Sequence, residues 1–340
     1  MNKFFLCTSF IVLCYLNLNA QKVYKFSLSP IQTRVSNSLY NSLAVLDYRG
    51  DTTSMGVIQP GMLARYAKVV PAIPISSQYK TLFNTVIDGT AADGQLLLQI
   101  RRLFFAQRER QFTYEGYFTM MAILFSKTGN NYQIIGRIDT LISRTSLSPG
   151  NGTLKAADKI MTDFLIKNLK VKPSGSILSY HDILHITNVE KNELALYNRD
   201  RYTDGLYLTY HSFKNQMPDR QITPDSDDLN AGDIRTIEGG GVTQKAKASK
   251  VYAIVYRGLP YVVSEGLYYP LKKVNNDFVF VGKAKDDSAI PGNALASGVA
   301  GGVAGSVFYP IATFEMRINY TNGIFVRMKK ILDAKGNPVK

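Results

Sequence analysis

The sequence is poor in the residues that carry most enzymatic and metal chemistry. Its 340 residues include no Trp, two Cys and three His. Both cysteines, Cys7 and Cys14, lie within the first twenty residues. If that stretch is a removed leader, the mature chain has no thiol. Disulfides, thiolate zinc sites and cysteine nucleophiles are then excluded. Without Trp the commonest sugar-stacking ring is missing. The 21 tyrosines could replace it, but Tyr is also an ordinary strand residue. No P-loop and no nucleophile elbow occurs. Gly239-Gly240-Gly241 fails the dinucleotide pattern, because Gln244 stands where the third spaced glycine belongs. No apolar run is long enough for a comfortable membrane span of about 20 residues.

What is present begins with an export signal. Lys3 supplies a positive start, Phe4 to Leu16 an apolar stretch, and Asn19-Ala20 a small-residue exit before Gln21. Cleavage is expected after Ala20. The rival reading is a lipoprotein modified at Cys14, but Leu13 occupies a position that reading gives to a small residue. An exported chain free of cysteine fits a bacterial envelope better than a eukaryotic secretory route. The expected location is therefore periplasmic or outer-membrane-associated.

The formal net charge is +14. Removing Lys3 with the leader leaves 39 basic against 26 acidic residues, a balance of +13. An exported basic protein meets anionic lipids, wall polymers and acidic glycans before it meets nucleic acid. Solubility alone is the plainer explanation, since Lys and Arg are spread along the chain. The hydrophobic fraction of 45% is that of a globular chain. Its length suits two domains of roughly 100–200 residues each.

The stretch from Gly94 to Leu141 organises the first half. Leu96, Leu98 and Ile100 alternate with Leu97, Gln99 and Arg101. Phe118, Met120, Ala122 and Leu124 share one parity of the next run, and Tyr117, Met121, Ile123 and Phe125 the other. Ile134, Ile138 and Ile142 alternate with Gln133, Arg137, Asp139 and Ser143. This period of two predicts three antiparallel strands, the middle one covered on both faces. A helix should follow, with Leu154, Ala157, Ile160, Met161, Phe164, Leu165 and Leu169 on one side and Thr153 as N-cap. Before the meander, strands are expected at Val23–Ser29 and Ser42–Tyr48. A loop with one short helix follows over Thr52–Pro74. Then comes a helix bearing Tyr79, Leu82, Phe83, Val86 and Ile87, capped by Ser76 or Ser77.

Pro173-Ser174-Gly175-Ser176 reads as a linker. The second half is expected to be mostly β. A polar loop should run from Pro218 to Gly241, and the final hairpin should turn at Asn322-Gly323. The expected fold class is α+β: residues 21–173 form an antiparallel sheet with helices on one face, and residues 174–340 form a β-rich domain. A Gly/Ala-rich insertion occupies 292–310 of that domain.

At this point a resemblance emerges. The runs GQLLLQIRRLFFAQRE, YEGYFTMMAILF and LKAADKIMTDFLIKNL are similar to the first half of exported, uncharacterised proteins of the Bacteroidota. The runs DGLYLTYHSFKNQMP and VYAIVYRGLPYVVSEGLYYPLKKVNNDFVFVGKA are similar to their second half. The resemblance implies a periplasmic or outer-membrane-facing protein. It carries over no functional residue.

Four constellations remain as site candidates. His181 and His185 could hold a metal if their segment is helical, although Asp182 stands where a metalloprotease needs Glu, and a strand reading is equally open. Asp225, Asp227, Asp228 and Gly232 resemble a calcium loop, with the glycine two places late and no closing Glu. Arg101, Arg102, Arg108 and Arg110 form the densest basic group, a candidate anion patch. Gly298, Gly301, Gly302 and Gly305 repeat at the four-residue spacing that lets helices approach closely, a candidate contact with a membrane, a partner or another copy. No catalytic residue and no cofactor is assigned. The leading expectation is a non-enzymatic envelope protein that binds or scaffolds. Its partners would be envelope proteins or anionic polymers. A hydrolase of glycan or peptide and a self-assembling surface component are the alternatives.

Overall fold

A computed structural model describes residues 22–59, 66–109, 113–147, 150–237, 241, 243–286 and 311–333. The expected leader and the 292–310 segment lie outside these residues. The chain is a mixed α+β protein with more strand than helix. It divides into two compact units, Met1–Ile177 and Leu178–Lys340.

In chain order the first unit contains β1 (Val23–Phe26), β2 (Tyr40–Asp47), β3 (Val57–Ile58), β4 (Ala67–Pro71) and α1 (Ile75–Val86). These are followed by β5 (Gly94–Glu109), β6 (Tyr114–Thr128), β7 (Asn131–Ser146) and α2 (Asn151–Asn168). The main sheet runs β2-β5-β6-β7, and a smaller one β1-β4-β3. The expected three-strand antiparallel meander forms, and β2 adds to it in parallel with β5. Parallel neighbours need a crossover, and here it carries β3, β4 and α1. The loop with one short helix expected over Thr52–Pro74 is therefore corrected to two strands. Isolated, this segment has little alternation; its order comes from β1 and from Phe105, which it pairs with.

Both helices cover one face of the main sheet. Tyr79, Leu82, Phe83 and Val86 of α1 join Ala157, Met161, Phe164 and Leu165 of α2, Leu98 and Ile100 of β5, and Phe118, Met120, Ala122 and Leu124 of β6 in one core. The opposite parity of β6 is buried too, at Tyr117, Met121, Ile123 and Phe125. Two bulges reset the alternation. One falls between Ile100 and Arg102, so Leu103 and Phe105 continue the core face begun by Leu96, Leu98 and Ile100. The other, opposite Leu124 and Phe125, puts Ile135 rather than Ile134 into the core.

The expected caps do not form. Helix α1 begins at Ile75 after Pro74, which leaves Ser76 and Ser77 inside its first turn. Helix α2 begins after Gly150, and Thr153 is instead a buried contact against Gly116, where an added Cβ would stand 2.2 Å from its Oγ1.

The second unit contains α3 (Tyr180–Leu184), α4 (Ile186–Asn192), β8 (Gly205–Tyr207), α5 (Tyr210–Lys214), β9 (Gln221–Pro224), β10 (Ile234–Ile237) and β11 (Thr243–Lys245). Then come β12 (Ala253–Tyr256), β13 (Leu259–Ser264), β14 (Leu267–Pro270), β15 (Lys272–Val274), β16 (Asp277–Lys285), β17 (Ile311–Ile318) and β18 (Phe325–Lys330). Its sheets are β11-β10-β9, β14-β13-β12-β8 and β15-β16-β17-β18. Ala253 and Val255 pack with Phe278, Phe280, Phe314 and Met316, while Ile254 on the other parity packs with Leu229, Ile234 and Tyr268. The polar stretch expected to be a loop at Pro218–Gly241 thus supplies two strands that cover this second face. The Gly/Ala-rich segment connects β16 to β17, whose ends are paired at Lys285 and Ile311.

Gly56 should be irreplaceable in this frame. Its φ is +93°, and a Cβ there would lie 2.0 Å from the Phe105 carbonyl oxygen. Gly56→Ala is expected to cost about 2–4 kcal/mol by urea unfolding. Gly50→Ala, where nothing lies within 4 Å, should change stability little.

Candidate functional site

A cavity lies in the first unit, between the segment after β1 and helix α1. Its volume is about 210 Å³. Leu28, Pro30, Ile31, Ile73 and Leu82 form its apolar wall, and Ser27, Ser29, Thr81, Thr85 and Gln78 supply the polar lining. Thr81 and Thr85 are one helical turn apart on α1, so both hydroxyl side chains come to the same mouth. Leu82 and Gln78 occupy the adjoining stripe, which faces inward.

Gln78 builds the wall. Its side chain is buried, and its amide group meets three backbone groups. Its Oε1 accepts from Leu28 N–H at 2.8 Å. Its Nε2 donates to the carbonyl of Ile73 at 2.8 Å and to that of Phe26 at 3.3 Å. The segment beyond β1 is therefore tied to the start of α1 where it has no strand partner. Asp158 of α2 accepts from Ser29 N–H at 3.0 Å, a second tie. No carboxylate, imidazole, amine, guanidinium, phenol or thiol lines the cavity. It can hold an apolar group and offer it hydrogen bonds, but supplies no proton-transfer group.

A second polar centre lies in the other unit. The Lys191 side chain is 4% exposed, and its Nζ donates to the Asn276 carbonyl and the Asp277 carboxylate, both at 2.7 Å. The same Nζ sits 5.4 Å from the ring centroids of Tyr197 and Tyr320. Arg317 reaches the second Asp277 oxygen at 3.3 Å. Burial pushes the phenols of Tyr197, Tyr210 and Tyr252 above their ordinary range, so they stay neutral. Tyr210 donates to the Tyr320 carbonyl and Tyr252 to that of Gly323, at 2.7 Å each. This cluster fastens α4 to β16 and to the β17–β18 turn.

His181 and His185 do come together, on α3 and at its C-terminal end. Both are exposed, and their rings stack with centroids 4.3 Å apart and planes at 30°. Stacked rings aim their in-plane lone pairs alongside one another rather than at a common point. His185 Nδ1 is already 3.0 Å from the His181 carbonyl. Asp182 is engaged in a capping box with Ser179. Among the described residues, no group of three or more His, Cys, Asp and Glu gathers to hold a metal.

The Asp225–Asp228 loop spends its carboxylates internally. Asp225 pairs with Arg235 at 3.2 Å, Asp227 with Arg257 at 2.9 Å, and Asp228 accepts from Asn230 N–H. Arg101 is the extra residue of the first bulge of β5, Arg102 follows it, and both are half-buried. The Arg108 side chain, Arg110, Gly298, Gly301, Gly302 and Gly305 lie outside the described residues. Sequence reasoning missed the cavity. Its one usable signal was Gln78, a polar residue on the inward stripe of an amphipathic helix.

No family model and no curated protein matches the chain. Among solved structures it is similar to a crystal structure of a Xanthomonas campestris protein with the DUF330 family model, at 14% identity over 50% of this chain and 97% of that one, with a TM-score of 0.26. A second, an uncharacterised protein, is 10% identical over 42% of this chain and 94% of its own, with a TM-score of 0.24. Likeness at that level carries no argument about fold or function. No helix among the described residues is long and apolar enough to cross a membrane.

Two outcomes follow from these contacts. Gln78→Leu keeps the size of the side chain but strands Leu28 N–H and the Ile73 carbonyl, while the Phe26 carbonyl keeps its bond from Ala72 N–H, and should cost about 1–3 kcal/mol in urea unfolding. The hydrogen bonds from Ser179 backbone and hydroxyl hold the Asp182 carboxyl below its usual range. Its stabilising effect is then full above the ordinary carboxylate value and fades as pH falls through the lower folded value. Asp182→Asn should flatten that acid limb in a pH series of thermal unfolding.

Proposed function

We propose that this chain is an exported, non-enzymatic protein of the bacterial envelope, and that it binds or scaffolds through its first unit. The observation that carries the reading is the character of the α1 cavity. A binding pocket needs apolar surface and a few directed polar groups. This cavity offers five apolar residues and the hydroxyls of Ser27, Ser29, Thr81 and Thr85, and its lining holds no carboxylate, imidazole or amine that would activate a hydroxyl or move a proton.

Its size narrows the ligand. Drug-sized sites enclose roughly 300–1,000 Å³, and a dry cavity of about 150 Å³ takes benzene. At about 210 Å³ the α1 cavity suits one apolar group, such as the end of an acyl chain or a side chain of a partner protein. The rest of the ligand would lie outside it. The leader and the basic balance support an envelope setting, where both kinds of group are abundant.

The test is recovery of the tagged, full-length protein from native envelope, compared with Thr81→Phe and Thr85→Phe. Either ring would fill the mouth from an exposed helix position, so folding should be preserved. Processed wild-type protein is expected in the envelope fraction with a bound lipid or protein. Both variants should reach the same fraction and lose that ligand. Cytosolic protein with its leader attached would sink the export reading, and undiminished ligand on the folded variants would sink the cavity reading.

A further inference from the structure

Strand β7 terminates the sheet β2-β5-β6-β7, so among the described residues no strand lies beside its outer edge. Such an edge presents backbone N–H and C=O groups that another strand can satisfy. The strand is long, running from Asn131 to Ser146, and β6 pairs with it along its whole inner edge. The elements packed most closely on it are β6 and α2, and near its start Gln133 donates to the Gly175 carbonyl at 3.1 Å. Ile138 and Ile142 turn toward the helices, and exposed Arg137, Asp139, Ser143 and Thr145 turn the other way.

The side chains say what fits there. When a strand pairs antiparallel with its own copy, facing residues are either both hydrogen-bonded or both not. Facing residues therefore share parity, and the two-fold axis must fall on a residue. An axis at Arg137 would oppose Arg137 to itself. An axis at Asp139 would oppose Asp139 to itself. An axis at Ile138 opposes Arg137 of each copy to Asp139 of the other, twice over. It also sets Gly136 against Thr140 and brings Ile134 and Ile135, at the bulge, to Leu141 and Ile142. We propose that β7 pairs with β7 of a second copy about an axis at Ile138, joining two four-stranded sheets into one of eight strands. The occupant of this edge is thus the same chain, selected by charge register.

The test is sedimentation of the mature full chain over a concentration series. The wild type should dimerise, and more weakly at high salt, because the pairs are solvent-exposed. Asp139→Arg and Arg137→Asp each replace two opposite-charge pairs by two like-charge pairs. Each should raise the dissociation constant by roughly tenfold or more. The double variant R137D/D139R restores opposite charges and should return the dimer. Circular dichroism and melting of the single variants check that they remain folded. A wild type that stays monomeric overturns the proposal. So does a dimer that persists unchanged in folded Asp139→Arg, or a double variant no tighter than the singles.

Discussion

The first unit depends on keeping β6 dry. From Glu115 to Ser126 every residue of that strand is buried, on both parities. A strand with two covered faces needs neighbours on both edges and layers above and below, and the unit is built to supply them. Helix α2 lies close to the sheet because two glycines let it. Gly116 on β6 faces Thr153, and Gly136 on β7 faces Asn168, whose side-chain amide would lie 2.6 Å from an added Cβ. Thr153 and Asn168 stand near opposite ends of α2. The helix is therefore seated at both ends on positions without side chains. Each large apolar side chain buried beneath it, such as Phe118 or Leu124, contributes roughly 1.5–3 kcal/mol relative to exposure.

The same demand creates the cavity. Helix α1 must lay Tyr79, Leu82, Phe83 and Val86 on the sheet. The chain leaving β1 crosses the flank of that helix without a strand partner. Its backbone groups need hydrogen bonds, and Gln78 on the inner stripe, with Asp158 of α2, provides them. The space left between segment and helix is bounded by apolar side chains below and by threonine hydroxyls above. A packing solution and an open cavity are thus made by the same residues.

Charge is handled internally in both units. Arg49 is almost fully buried, holds Asp47 through two contacts of 2.7 Å, and donates to the carbonyls of Thr52 and Ser54. That fork closes the loop leading to Gly56. Lys191 does the corresponding work in the second unit. Arg235 and Arg257 occupy the carboxylates of the acidic loop. Part of the basic surplus is therefore structural.

Much of the fold was legible from local pattern. Alternation marked β5, β6 and β7, and helical spacing marked α1 and α2, because a side chain's face follows directly from backbone period. Asn322-Gly323 marked the turn between β17 and β18, which the structure makes with a positive φ at Gly323. Other features were decided only by tertiary structure. The strands within 57–71 are held by β1 and Phe105, distant in sequence, and those within 221–237 pair with each other and β11 but pack on Ile254 and Tyr268, so local period does not announce them. The bulges at Arg101 and Ile135 move which isoleucine is core without altering composition. The cavity depends on a backbone segment and a helix fifty residues apart meeting at Gln78. Local sequence determined which residues could be strand, helix or turn, since that is a property of neighbouring backbone and side chains. Which of them meet, and what space they leave, was settled by the packing of distant segments.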